Sequence, residues 1–263
     1  MDNNTENYIV YEMEIVDIED YTCTIKIKDK DEYTILKYQQ KQKKLSFLDN
    51  KNIDKKLEEN KYQLKKILNN KREDTFFKGF KLKFVIRDNA KTIEFNDLSK
   101  IIVLDRREEK YETYVINRTE KEIFKVYTDG CYLEKYGKSS YVAITKNSNQ
   151  KLNLFYGKTD EKSSSLIELM AVIKALEISK DKEKIRIISD SRYIIKGLTE
   201  WIFNWKLNDW HTAQGEKVKN IDYWKKFDLL TIGKYIEFEW VKSHSEHYEN
   251  SICDYYAKLA AKS

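Results

Sequence analysis

Apolar residues recur at every second position through the first third of the chain. This period predicts strands at Tyr8–Val16, Tyr21–Lys28 and Glu32–Tyr38. In the second strand Ile25 and Ile27 fall on one face, and Lys26 and Lys28 on the other. From Ile53 the period lengthens. Ile53, Leu57, Leu64 and Leu68 repeat at helical spacing among lysines, which predicts a helix over Ile53–Asn69 with Asn69-Asn70 as its stop. Strands resume near Phe80–Arg87, Thr92–Phe95 and Tyr111–Asn117. No motif in residues 1–116 carries recognisable chemistry.

The remainder has a different rhythm. Ile123–Thr128, Tyr141–Lys146 and Leu152–Thr159 read as an antiparallel trio. A helix follows, with Leu169, Val172, Ile173 and Leu176 on one face. Ile185–Ser189 is a nearly continuous apolar run, suited to a buried parallel strand. A second helix starts at Arg192–Gly197, Tyr235–Val241 is the next strand, and Ser251–Ala261 the last helix. The pattern predicts an α/β fold. It is a mixed five-stranded sheet, three strands antiparallel and then two parallel, with helices on both faces. A small α+β domain precedes it. No Gly-rich or Pro-rich linker marks the join, so the boundary falls within residues 117–123, giving domains 1–120 and 121–263.

Composition narrows the classes. A length of 263 residues is comfortable for two domains. No apolar run reaches the about 18 residues of a membrane span, and the first residues, Met-Asp-Asn-Asn-Thr-Glu, do not resemble a signal. Cys23, Cys131 and Cys253 are odd in number and scattered, which points to a reducing, cytoplasmic setting and away from a zinc site. The net charge of +5 is unevenly spread: residues 1–20 hold seven acids and no Lys or Arg, whereas residues 37–83 hold fifteen Lys or Arg against six acids. Such a stretch is either a solvated helix face or a phosphate-binding patch.

Four separated carboxylates, Asp129, Glu168, Asp190 and Asp254, are the candidate chemistry. Gathered together they would repel one another unless a cation neutralised them. A set of hard oxygen donors suits Mg²⁺ and phosphodiester chemistry. Each also has a purely structural alternative. Asp129-Gly130 is a turn signal, Ser165 to Glu168 fits a capping box, Asp190 could cap the next helix, and Asp254 could sit at a helix start and favour its dipole.

From Phe124 to Ser263 the chain resembles a type 1 ribonuclease H. The separations of 39, 22 and 64 residues between the four carboxylates are close to that family's own. So are the blocks Thr199–Trp205, Val218–Trp224 and Trp240–Asn250, which resemble the family's substrate-binding protrusion and catalytic histidine loop. The resemblance implies cleavage of the RNA strand of an RNA–DNA hybrid, giving 5′-phosphate and 3′-hydroxyl ends. It implies two Mg²⁺ ions, with Mn²⁺ as the alternative, on Asp129, Glu168, Asp190 and Asp254. His244 would relay a proton or assist product release. Substrate contacts would come from the backbone at Gly130 and Cys131, from Ser163, Ser164 and Ser165, from Trp201, Trp205, Lys206, Lys217 and Lys219, and from Asn250.

The chain also departs from the family pattern. Lys135 stands where an RNA-reading Asn is common, Ser164-Ser165-Leu166 replace Asn-Asn-Arg, and Leu207-Asn208-Asp209 interrupt a usually basic stretch. These changes bear on substrate affinity and not on the metal ligands. Residues 1–120 do not resemble the hybrid-binding domain often found ahead of such enzymes; a nucleic-acid partner, a protein partner and dimerisation all stay open. Two rival classes are another metal nuclease on the same fold, expected to have different carboxylate spacing, and a decayed binding module, expected to have lost a ligand.

Overall fold

The structure, a computed structural model, describes residues 8–69, 76–87, 99–108, 111–117, 122–146, 151–243 and 247–263. The chain divides into two units. The first is Met1–Lys91 with Asn204–Lys219, the second Thr92–Phe203 with Asn220–Ser263.

The first unit is built on an antiparallel sheet in the order β4-β3-β2-β1-β5. Its strands are β1 (Tyr8–Glu19), β2 (Thr22–Lys28), β3 (Tyr33–Gln39), β4 (Lys44–Phe47) and β5 (Lys81–Arg87). Asp20 and Tyr21, both at positive φ (45° and 61°), join β1 to β2 in a two-residue turn whose hand suits twisted strands. The inward residues of the alternating strands, among them Met13, Ile15, Ile25, Ile27 and Leu36, are fully buried. Helices α1 (Asn52–Glu59) and α2 (Lys61–Asn69) seal that face with Ile53, Leu57, Leu64 and Leu68. The expected single helix is therefore interrupted at Asn60, whose side-chain amide donates to the Lys56 carbonyl and ends the first helix. β4 escaped the sequence reading because four residues carry too little periodicity.

Residues 204–219 complete this unit from far along the chain. The Asn208 side chain accepts from the Lys83 amide (2.7 Å) and donates to the Lys83 carbonyl (2.8 Å). One side chain thus satisfies both backbone groups of a residue on edge strand β5. Ala213 packs against the core.

The second unit holds a seven-stranded sheet in the order β10-β9-β8-β11-β12-β6-β7. The strands are β6 (Ile101–Asp105), β7 (Glu112–Ile116), β8 (Phe124–Leu133), β9 (Lys138–Lys146), β10 (Leu152–Thr159), β11 (Lys184–Ser189) and β12 (Tyr235–Trp240). β8 runs antiparallel to β9 and parallel to β11, and β12 runs parallel to β11, as expected. Two strands beyond the expected five extend the far edge, β6 against β12 and β7 against β6. The strand expected at Tyr111–Asn117, ahead of the expected boundary at 117–123, thus pairs into this sheet. The physical reason lies in Ile101–Leu104, four consecutive buried residues that need cover on both faces and find it beside β12. The strand expected at Thr92–Phe95 lies outside the described residues.

Helices flank the sheet on both faces. α3 (Ser164–Ile178) buries Leu166, Ile167, Leu169, Val172, Ile173 and Leu176, and α7 (Tyr248–Lys262) packs Cys253 and Ala257 against Tyr127 and Cys131 of β8. After β11 come α4 (Arg192–Lys196), a π-helical turn (Gly197–Trp201), α5 (Ile202–Leu207) and α6 (Ile221–Thr231).

Candidate active site

Asp129 lies inside β8, paired across the sheet with Val142, and is only 6% exposed. It is therefore a strand residue, and the turn alternative for Asp129-Gly130 does not apply. Gly130 has a steric task. A Cβ there would come within 2.8 Å of the Ile167 side chain and 2.9 Å of the Glu168 backbone nitrogen. Only glycine lets the first turns of α3 approach β8 this closely. That approach carries Glu168 to Asp129.

The other structural alternatives fail in turn. Ser163 is the residue flanking the start of α3, and Glu168 sits in the helix's second turn, beyond the position a capping-box glutamate needs. The cap of α4 is Ser191, whose hydroxyl accepts from the Ile194 amide, so Asp190 is released from that role. Asp190 follows the carboxyl end of β11, where α/β sheets place ligands. Its carbonyl accepts from the Trp240 indole at 2.9 Å. α7 starts at Tyr248, three residues earlier than expected, which moves Asp254 beyond the first turn and out of reach of the dipole explanation.

The fold brings one carboxylate oxygen each from Asp129, Glu168 and Asp190 within 4.8 Å of one another. Such crowding is costly in the absence of positive charge. Burial, and next the charge of Asp190, push the Asp129 carboxyl up to about 7. Glu168 is raised well above the ordinary glutamate range by burial, then by the charges of Asp129 and Asp190. Its Oε2 is buried with no hydrogen-bond partner among the described residues. An orphaned buried oxygen beside two further carboxylates fits a divalent cation, which would neutralise the charge and fill the vacant coordination.

Asp254 stands apart from this triad of oxygens. Its Oδ2 accepts from Lys258 at 2.6 Å, one turn on in α7. It is nonetheless near enough for its charge to raise Asp129 further. His244 lies outside the described residues. His247, which the sequence reading left without a role, caps α7 by accepting from the Asn250 amide.

The expected substrate contacts belong to both units. Ser163 and Ser164 are exposed at the start of α3, with Ser165 half-buried. Cys131 and Asn250 are buried, and Asn250 Oδ1 has no partner among the described residues. Trp201 is half-buried in the second unit, edge-on to Tyr193 at 5.1 Å. Trp205, Lys206, Lys217 and Lys219 belong to the first unit, and the three lysines are exposed. Trp224 is 2% exposed, packed on Gly197, and is core.

The family model for RNase H matches residues 121–262. The chain belongs to the ribonuclease H family. Ribonuclease HI of Haemophilus ducreyi is 42% identical over 138 residues, spanning 52% of this chain and 88% of that protein. Ribonuclease H of Escherichia coli O139:H28 is 38% identical over 137 residues, with the same shares of 52% and 88%. Among solved structures, a type 1 RNase H with the type 2 active-site motif covers 55% of this chain and 74% of its own at 20% identity and a TM-score of 0.45. As a ribonuclease H, the chain is a metal-dependent endoribonuclease. Asp129 of β8, Glu168 of α3 and Asp190 just after β11 supply an acidic cluster compatible with a divalent metal.

Proposed function

We propose that this ribonuclease H hydrolyses the RNA strand of RNA–DNA hybrids at internal positions, leaving 5′-phosphate and 3′-hydroxyl ends. One observation carries the reading. Three acidic oxygens from separate elements meet within 4.8 Å, one of the residues keeping a buried oxygen without a hydrogen-bond partner among the described residues.

Asp129, Glu168 and Asp190 would hold two Mg²⁺ ions, with Mn²⁺ as the alternative. Asp254 would join them by exchanging its bond to Lys258 for a metal ligand. Bound there, the ions would supply an activated water nucleophile and stabilise charge on the departing 3′-oxygen. The chain's own residues do the rest. The closely packed β8 and α3 fix the separation of Asp129 from Glu168, so the site is formed before substrate arrives. The exposed hydroxyls of Ser163 and Ser164 can donate to and accept from ribose 2′-hydroxyls, which separate RNA from DNA. His244 would move a proton during turnover or help the product leave. Lys206, Lys217 and Lys219 would contact phosphates of the DNA strand.

The test is a gel assay of the full chain with a hybrid labelled on its RNA strand. We expect Mg²⁺-dependent internal cuts in RNA, none in the DNA strand, and none with Asp129→Asn. Cleavage that persists in Asp129→Asn, or equal cutting of duplex DNA, would remove the proposal.

A further inference from the structure

The two sheets end in four edge strands, β4, β5, β10 and β7. An edge offers unpaired amide and carbonyl groups to any strand that can lie beside it, and proteins blunt such edges by brevity, charge or cover. Three of the four are blunted. β4 has four residues and β7 five. β5 carries the exposed Lys81 and Lys83, and Asn208 takes up both backbone groups of Lys83. β10 has none of these devices. It pairs with β9 through eight consecutive residues without a bulge, and no strand lies on its other side among the described residues. It contains one charge, Lys158, and three exposed apolar side chains in a row: Leu154 (37%), Phe155 (36%) and Tyr156 (54%).

The order of residues along β10 selects the occupant. In an antiparallel pair, residues directly opposite one another share a face of the sheet. When the two strands are identical and related by a twofold axis, one residue must therefore meet its own copy. With Phe155 at the axis, Leu154 falls opposite Tyr156 of the second copy, Asn153 opposite Gly157, and Leu152 opposite Lys158. Apolar side chains meet at the centre and no like charges are opposed. The stem of Lys158 can lie along Leu152. Gly157 is the crowded position, because a Cβ there would come within 2.2 Å of the Tyr141 ring. The short Asn153 is what it would meet. A shift of the axis by one residue sets Phe155 against Gly157 or Asn153 and loses the apolar match.

We propose that β10 is a self-association edge. Two copies of this chain pair their β10 strands antiparallel about Phe155, which joins two seven-stranded sheets into one. Continuous sheets of that width occur in large α/β proteins. The twofold closes the contact, so association stops at the dimer. A single strand pair is at the small end of specific interfaces, and the dimer should dissociate at about 10–100 µM.

The experiment is sedimentation equilibrium of the full chain across that range and about threefold beyond it at each end. The mass should rise from 31.6 kDa towards twice that value. Phe155→Lys and Phe155→Glu, each alone, set like charges face to face at the axis and should hold the monomer mass. Mixed in equal amounts they set lysine against glutamate, and the dimer should return. Leu229→Lys removes a side chain 68% exposed on α6 and should dimerise like the unsubstituted chain. Circular-dichroism melts check that each variant folds. If a Phe155 variant melts early, Leu154→Lys with Tyr156→Lys, mixed against Leu154→Glu with Tyr156→Glu, repeats the test one row away. A monomer mass for the unsubstituted chain at the highest concentration would overturn the proposal. So would a dimer that survives Phe155→Lys, a mixture that stays monomeric, or a mass that climbs past the dimer.

Discussion

The second unit buries acidic side chains in two places and treats them in opposite ways. Within the sheet, Glu237 on β12 is 2% exposed and meets the Arg186 guanidinium on β11 at 2.7 Å. Tyr235 donates to its other oxygen, and Arg186 also reaches Glu239 at 3.4 Å. Within β8 and just beyond β11, by contrast, Asp129, Glu168 and Asp190 converge with no lysine or arginine paired to them among the described residues, and Lys258 is engaged by Asp254. The same sheet thus neutralises one acid with a resident arginine and leaves three to one another. A fold can hold a buried charge with a partner of its own; where it brings charges together without one, the partner comes from solution.

The comparison breaks most sharply at Asp129. Asp129→Asn should lower the rate of hybrid cleavage by about 10³-fold or more, read in single-turnover assays with Mg²⁺. A residual rate near that of the unsubstituted chain would mean the cluster is merely structural. Next in size is the sheet pair. Arg186→Met leaves Glu237 buried and uncompensated, and should cost about 3–5 kcal/mol in denaturant unfolding. Loss below about 1 kcal/mol would show that water relieves Glu237.

The third effect has the opposite sign. Without metal, Asp129→Asn should stabilise the chain at pH 7, on the order of 2–4 kcal/mol, because it removes one of the crowded charges. The native carboxyl titrates near 7, well above its value of 3.8 when free. A raised acid favours the protonated folded state, so its ionisation destabilises progressively from about pH 4 upward and fully above about pH 7. The advantage of the variant should therefore shrink as pH falls towards 4, and Mg²⁺ should erase it by stabilising the unsubstituted chain. Thermal melts with and without Mg²⁺ across that range test both signs. The smallest effect belongs at the surface. Lys226 pairs with Glu177 at 2.6 Å, both partly exposed, and Lys226→Ala should change stability by less than about 0.5 kcal/mol.

The parts of this picture legible in sequence are those with local signatures. Asp129, Glu168 and Asp190 each lie in or beside a strongly patterned element, and the resemblance of their spacing to that of the ribonuclease H family grouped them, with Asp254, in one site. The alternation of β2 and the apolar run of β11 were equally plain. What escaped depends on distant pairing. Ile101–Leu104 reads as an apolar run of no declared allegiance until β12 lies beside it. The helix break at Asn60 turns on a single side-chain bond, too small a mark for a period of 3.6 to register. Asn208 and Lys83 are 125 residues apart, and nothing in either neighbourhood announces the other. Asp254, which the motif groups with the other three carboxylates, is tied to Lys258, an i,i+4 pair available to any helix.

The return of residues 204–219 to the first unit has a consequence for synthesis. A nascent chain emerges from its amino end, and domains ordinarily mature as they appear. Here edge strand β5 must wait, with the amide and carbonyl of Lys83 unmet by Asn208, until translation has passed through most of the second sheet. The earliest part made is thus among the last to be finished.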